Sequence, residues 1–497
     1  MFHLRWSLLM PTICRQCEMK EGRCKCLKPD FYYEELPIEV PETLSEANER
    51  IDKDFTGDDK IDKVADLLIK DHNFLTLKGS EEILIFNGKI YSNKDATAII
   101  KTKTEKLIPN CSSHDRNEVI NKIKAKTFTD LEDFDKEPHF LTIDNGILDI
   151  LTLELLPHTP KHLSKVLLPV SFTAPATTTI ETELADTEFL KFLKGSFTVN
   201  GKFRKADFDT VLEITASFLI KSHIDQKAFM FLGSGDNGKG VLLNYIIAML
   251  GKPNISAISL QKLASNQFAA ANLAFKIANI FPDLEKNELK LSGTLKAIIA
   301  NEPVEVEIKY KQAFTMYPFC KLLFSANRFP KALDTSQGFF RRWIIVKWER
   351  SFENDSERIE FLREKLENNK QEINKVFSSL VLLAGNLYQQ AKFTNSKTWK
   401  QVRDEWNANA DPAGSYIETN LEVATSDLTK LEVHTKYKHA MADIGELPLG
   451  IAAFGRIMKE HYDDNTGRFD GVHKMWVNVA FKEPKQTTLN DNDTTKV

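Results

Sequence analysis

Apolar and polar positions fall into two rhythms along this chain. Between 228 and 348 four apolar runs, Ala228–Leu232 (AFMFL), Phe275–Phe281, Cys320–Ala326 and Trp343–Trp348, alternate with stretches of helical spacing. Runs of that length with few polar residues suit strands buried on both faces, so the pattern predicts an α/β layer. Upstream, Asp62–Lys70 has helical periodicity, Glu82–Phe86 and Lys89–Tyr91 read as short strands, and Arg116–Lys126 as a charged helix. Thr127–Glu137 reads as an acidic loop. Asp144-Asn145-Gly146 is a turn signal that predicts a hairpin from Phe140–Ile143 and Ile147–Leu151. Helical spacing returns over Leu184–Lys221 and in the charged stretch Ser356–Phe393. Pro412–Phe481 reads as several short helices with a β-type ending at Met475–Phe481. Glu34–Arg50, acidic with two prolines, reads as a linker, and the polar tail after Pro484 is expected to be disordered.

Length and composition narrow the class. The 497 residues suggest roughly three folded units. The apolar fraction of 42% and charged fraction of 27% are those of a globular protein and exclude a fibre or a wholly disordered chain. The longest apolar stretch, Val241–Leu250, is half of the roughly 20 residues that a membrane span needs. A net charge of −4 argues against coating long DNA by surface charge alone, which leaves nucleic acid a local site, such as a channel or a wing.

Six cysteines are too few for a disulfide framework. Cys14, Cys17, Cys24 and Cys26 form C-x2-C-x6-C-x-C, four thiolates being the number a tetrahedral Zn²⁺ takes. The closing C-x-C departs from the usual paired spacing, so a zinc site, reactive thiols and an extension without a site all stay open. Cys111 and Cys320 stand alone and read as core. His3 and Arg5 interrupt what would be a leader's apolar region, so no signal peptide is expected and a reducing cytoplasm fits best.

The strongest chemical signal is Gly233-Ser234-Gly235-Asp236-Asn237-Gly238-Lys239-Gly240, after AFMFL and before VLLNYIIAML. Strand, glycine loop and helix are the context a phosphate-binding loop needs. Glycines let backbone N–H groups curl round an anion, the helix presents its positive end, and Lys239 reaches the outer phosphates. A chance surface turn is the competing reading, and the flanking elements argue against it. At the position where such loops usually carry a Mg²⁺-binding hydroxyl stands Gly240, so the shell falls to water or to Ser234, Asp236 or Asn237. Downstream, FKIANIF ends at Asp283, where a metal-holding carboxylate belongs, with Glu285 as a water-polarising base or a plain solvated charge. Asn327 closes the next run as a water-orienting amide or an ordinary turn residue. Arg341 and Arg342 enter the last run as surface ion-pair partners or as a finger reaching a neighbour's phosphate.

With these residues in order, the chain resembles a superfamily 3 helicase, an AAA+ subclass, and more closely the helicase part of the phage and plasmid primase-helicase family, related to the poxvirus type. The resemblance is carried by GSGDNGKG (233–240), ANIFPDLE (278–285), LKAIIANEPVEVEIKYK (295–311), KLLFSANRFPKALD (321–334) and GFFRRWIIVKWERSF (338–352), and it covers roughly 60–482. Upstream, DNGILDILTLELLPHTPKHLSKVLLPVSF (144–172) looks like the module that precedes the ATPase.

The resemblance implies a fold class of α/β, with an AAA+ P-loop ATPase core, an N-terminal α+β module and a C-terminal winged-helix-like domain. The expected boundaries are 1–33 for the Cys-rich segment, 34–59 linker, 60–183 N-terminal module, 184–226 helical collar, 227–355 ATPase, 356–411 helical segment, 412–482 winged-helix-like domain and 483–497 tail. It further implies ATP and Mg²⁺ as cofactors, Lys239 as Walker A lysine, Asp283 as Walker B, Asn327 as sensor 1, and Arg341 or Arg342 as the finger. Lys309 and Lys311, with Tyr310 between them, fall where relatives place channel-facing DNA contacts. A homohexameric ring on single-stranded DNA, duplex contact at the winged helix, and a separate primase or replisome partner follow as expectations. Only about 60 residues precede the matched region, so primer synthesis by this chain is not expected. The sequence departs from the family at Gly240, at the single Asp283-Leu284-Glu285, and at Asn301-Glu302. Two other classes are weighed beside the helicase: an ATP-binding loader or switch without unwinding, and an origin-binding regulator.

Overall fold

The computed structural model describes residues 58–482, except 286, 291, 308–312, 354, 356–357, 445, 463–465 and 470–472. The four-cysteine cluster and the polar tail therefore lie outside the described residues, as do Lys309 and Lys311.

At the centre is a five-stranded parallel sheet in the order Ile255–Ser256, Ala278–Phe281, Lys321–Ala326, Ala228–Leu232, Trp343–Lys347. Every residue of Ala228–Leu232 and Lys321–Ala326 is buried, as expected of parallel strands covered on both faces. Side chains alternate between two cores. Phe229, Phe231, Leu323, Ile344 and Val346 face one, closed by the helices Lys205–Ser217, Lys239–Leu250 and Lys370–Gln390. Met230, Leu322, Phe324, Trp343 and Ile345 face the other, closed by Gly293–Ala300 and by Val402 and Trp406 of Trp399–Ala410. The strand expected from Phe275 begins only at Ala278; Phe275 itself is held at φ 57°.

The N-terminal module packs helices Asp58–His72, Ala96–Leu107 and Ser113–Lys126 on a mixed sheet ordered Tyr91–Ser92, Ile83–Phe86, Phe74–Leu77, Phe128–Thr129. The Ser113–Lys126 helix starts before the expected Arg116 because Ser112 and Asp115 form a capping box. The expected acidic loop from Thr127 opens instead with a strand, Phe128–Thr129, parallel to Phe74–Leu77. The predicted hairpin is present as Phe140–Ile143 and Gly146–Asp149. The helical stretch expected over Leu184–Lys221 is broken into Glu188–Ser196 and Lys205–Ser217 by a hairpin, Thr198–Val199 with Lys202–Phe203. Its turn is Asn200-Gly201, both with positive φ, a pair suited to a two-residue hairpin turn.

One buried ion pair joins the segment before Phe140–Ile143 to the segment after Lys205–Ser217. Lys221 Nζ meets Asp135 Oδ1 at 2.8 Å with both side chains almost fully buried, and Asp135 also accepts from Ser164 Oγ and Lys165 N. At the C-terminal end the order is helix Pro412–Asn420, strands Leu421–Val423 and Leu428–Thr429, helices Lys430–Asp443 and Ile451–His461, then the strands Thr466–Phe469, His473–Trp476 and Val479–Phe481. Among the described residues no helix is long and apolar enough to cross a membrane.

Candidate functional site

The glycine loop leaves the C-terminal edge of the sheet between Ala228–Leu232 and the Lys239–Leu250 helix. Two glycines are required by space. A Cβ on Gly233 would strike the carbonyl oxygen of Trp348 and the amide of Asn237. Gly238 has φ 87°, and its Cβ would come 2.9 Å from the Phe192 ring. Asn237, only 3% exposed, is turned inward. Its Nδ2 donates to Ser234 O at 2.5 Å and to Trp348 O at 3.2 Å, and its Oδ1 accepts from Lys239 N at 3.4 Å. Lys239 Nζ donates to Gly233 O at 2.5 Å, Ser234 O at 2.9 Å and Asn237 Oδ1 at 3.1 Å. Burial pulls the Lys239 ammonium down to about 8, opposed by the charge of Asp283. Ser234, Gly235 and Asp236 are exposed at the loop's crest. Gly240 is exposed too, and a Cβ there would meet nothing within 4 Å.

Two of the expected partners stand at the ends of neighbouring strands. Asp283 is exposed just past Ala278–Phe281, next to Leu284, whose N–H donates to Ser325 O at 2.9 Å. Asn327 follows Lys321–Ala326 and shares a cavity of about 630 Å³ with Gly233, Ser234 and Gly235. Glu285 is not drawn into that group. Its carboxylate accepts from Asn287 Nδ2 at 2.5 Å and lines a separate cavity with Ser259, Lys262, Asn266 and the exposed Phe268 ring.

Arg341 and Arg342 lie at the opposite, N-terminal edge of the sheet, entering Trp343–Lys347, which runs parallel to Ala228–Leu232. Five residues at roughly 3.3 Å each put about 16 Å between that edge and the loop, beyond an arginine's reach. The pair is not equivalent. Arg342 is buried, donates to Gly338 O, and is pushed down by its burial. Arg341 is exposed, with Nη2 on Gln226 Oε1 at 2.8 Å. The segment with Lys309 and Lys311 is flanked by Val304–Val306 and Phe314–Met316, which pair antiparallel as the expected hairpin requires.

Some of the surroundings were not read from the sequence. On the far side of the loop a cavity of about 380 Å³ is lined by Phe192, Gly238, Val241, Arg350, Phe352 and Phe361. These residues come from distant segments, and no local motif links them. The C-terminal region also reaches the site: Arg328 pairs with Glu446, and Asn409 Oδ1 accepts from Phe329 N at 2.7 Å.

Comparison with known proteins bears on both halves. Residues 60–194 match the family described as D5 N terminal like. That agrees with the resemblance to the phage and plasmid primase-helicase family read from the motifs. Residues 231–342, which hold the glycine loop, Asp283, Asn327 and both arginines, match a family of unknown function, DUF5906. Among solved structures, the A form apo structure of NrS-1 C terminal region-CTR is 12% identical with a TM-score of 0.42, over 84% of this chain and 98% of that one. The A form apo structure of NrS-1 C terminal region-CTR(305-718) is 13% identical with a TM-score of 0.41 over the same shares.

Proposed function

We propose that this chain is an ATP-driven DNA helicase for replication of a mobile element, with a P-loop AAA+ core that works as a ring. The observation that carries the reading is the meeting of Gly233–Gly240, Asp283 and Asn327 at one sheet edge, with Arg341 exposed at the other. Phosphates would take the loop N–H groups and the helix end, and Lys239 would exchange loop carbonyls for phosphate oxygens. The Phe192, Phe352 and Phe361 rings suit a nucleobase. Asp283 offers the hard oxygen that Mg²⁺ favours, with Ser234 and water to complete the shell. When bound, Mg²⁺ supplies positive charge against the phosphates. Asn327 would orient the attacking water, and Arg341, too far from its own loop, would serve the neighbouring subunit, which supports a ring.

DNA fits the channel side. Lys309 and Lys311 belong to the segment between the paired strands, and the Phe268 ring beside Lys262 gives a base or sugar a surface to stack on. The order of 412–482, a helix, two short strands, two helices and three closing strands, supports a winged-helix-like domain. The loader or switch reading draws on two observations, the missing hydroxyl at Gly240 and the placing of Glu285 in a separate cavity.

Hydrolysis of ATP by the full chain, with and without single-stranded DNA, separates these. The helicase reading expects DNA-stimulated turnover that is lost in Lys239→Ala and Asp283→Asn. Nucleotide binding without turnover would favour the switch.

A further inference from the structure

The turn before the loop-bearing strand is built around Arg341. Asp225 and Gln226 are consecutive non-glycine residues with φ of 52° and 49°, a left-handed conformation that L-residues rarely adopt twice in a row. This turn lets Gln226 Oε1 accept from Arg341 Nη2 at 2.8 Å. The next residue holds the same arginine by its backbone: Lys227 Nζ donates to Arg341 O at 2.6 Å. Lys227 is itself buried and faces Asp225 Oδ2 at 3.6 Å. Ala228 N then donates to Arg342 O at 2.7 Å. Arg341 is thus fixed at its carbonyl and at one guanidinium nitrogen, while its side chain stays exposed. An exposed arginine ordinarily samples many rotamers. A planar fork held at one nitrogen keeps its other donors aimed.

We propose that Gln226 is a positioning residue, which aims the Arg341 guanidinium at the nucleotide phosphates of a second copy of this chain. This rests on the reading of Arg341 as a finger acting in trans. Gln226 does not touch nucleotide; it acts through the arginine, so its loss reduces turnover and leaves the subunit's own nucleotide site unchanged. A misaimed catalytic group costs about 10- to 100-fold in rate.

The test uses the full chain with ATP and DNA, comparing Gln226→Ala, Arg341→Ala and Lys239→Ala. Gln226→Ala is expected to lose about 10- to 100-fold in kcat, with KM for ATP close to wild type. Adding Lys239→Ala, which hydrolyses nothing but carries an intact Gln226–Arg341 pair, is expected to raise turnover per Gln226→Ala subunit. A purely structural role for Gln226 would give no such rescue. Gln226→Glu keeps the size and strengthens the hold on Arg341 while neutralising its charge, so it should retain the thermal midpoint and still lose kcat. Wild-type kcat in Gln226→Ala beside an inactive Arg341→Ala overturns the positioning role, as does failure of rescue on mixing. Full activity in Arg341→Ala overturns the finger reading instead.

Discussion

Asn237 offers the sharpest test of how the loop is held. Replacing it with alanine removes the donor to Ser234 O and Trp348 O and the acceptor for Lys239 N and Nζ. The Trp348 carbonyl follows the last sheet strand, so the amide ties the loop to the sheet beside the bond from Gly233 N to Ala326 O at 3.2 Å. Each buried polar group left without a partner costs about 1–3 kcal/mol. Taking about 2 kcal/mol for the set, nucleotide affinity should fall roughly 30-fold if the loop must re-form to bind. The same loss should lower the thermal midpoint by roughly 4–8 °C for a unit of domain size. Calorimetric titration with ATP and thermal unfolding without nucleotide give the two numbers on one preparation. Asn237→Asp keeps the acceptor but sets a carboxylate against two carbonyls, and should do worse than alanine. An affinity loss with an unmoved midpoint would mean that Asn237 meets the phosphate directly. Wild-type values for both would refute the reasoning.

Further outcomes follow from other contacts. Gly240→Ser has room for its side chain and should lower the Mg²⁺ needed for half-maximal hydrolysis; an unchanged Mg²⁺ dependence would mean that position 240 plays no part in the metal shell. Asp135→Asn leaves the Lys221 charge buried and unpaired, at about 3–5 kcal/mol; pairing it with Lys221→Met should recover most of that in thermal unfolding. Lys321 is fully buried and held down to about 7 from its ordinary 10.5, so between those values the unfolded chain binds more protons and stability rises with pH. Lys321→Met should remove up to about 1.4 kcal/mol per pH unit from that slope, read as thermal midpoint from pH 7 to 10; an identical slope would contradict the assignment. If Cys14, Cys17, Cys24 and Cys26 hold zinc, metal analysis should find one per chain and Cys24→Ser should lose it; unaltered metal would remove the site.

The central strands were the most legible part. Ala228–Leu232 begins and ends where its apolar run does, and Lys321–Ala326 and Trp343–Lys347 differ from theirs by one residue, because burial on both faces leaves a mostly apolar signature. The residues at their ends inherit that legibility: the loop, Asp283 and Asn327 each follow a strand, as the apolar runs predict. Less was legible where the decision is made in three dimensions. Arg341 and Arg342 are adjacent in sequence, yet one is exposed and the other buried against Gly338. Asn237 sits in the loop but faces away from its mouth. The two-residue strand Phe128–Thr129 exists only because Phe74–Leu77 lies beside it. The Asn200-Gly201 turn was a local signal, and helical spacing on either side masked it.

A motor of this kind separates DNA strands. A forked DNA duplex, incubated with the full chain, ATP and Mg²⁺, should be unwound by wild type and left intact by Lys239→Ala. Wild-type protein that binds ATP and the fork but separates no strands would contradict the helicase.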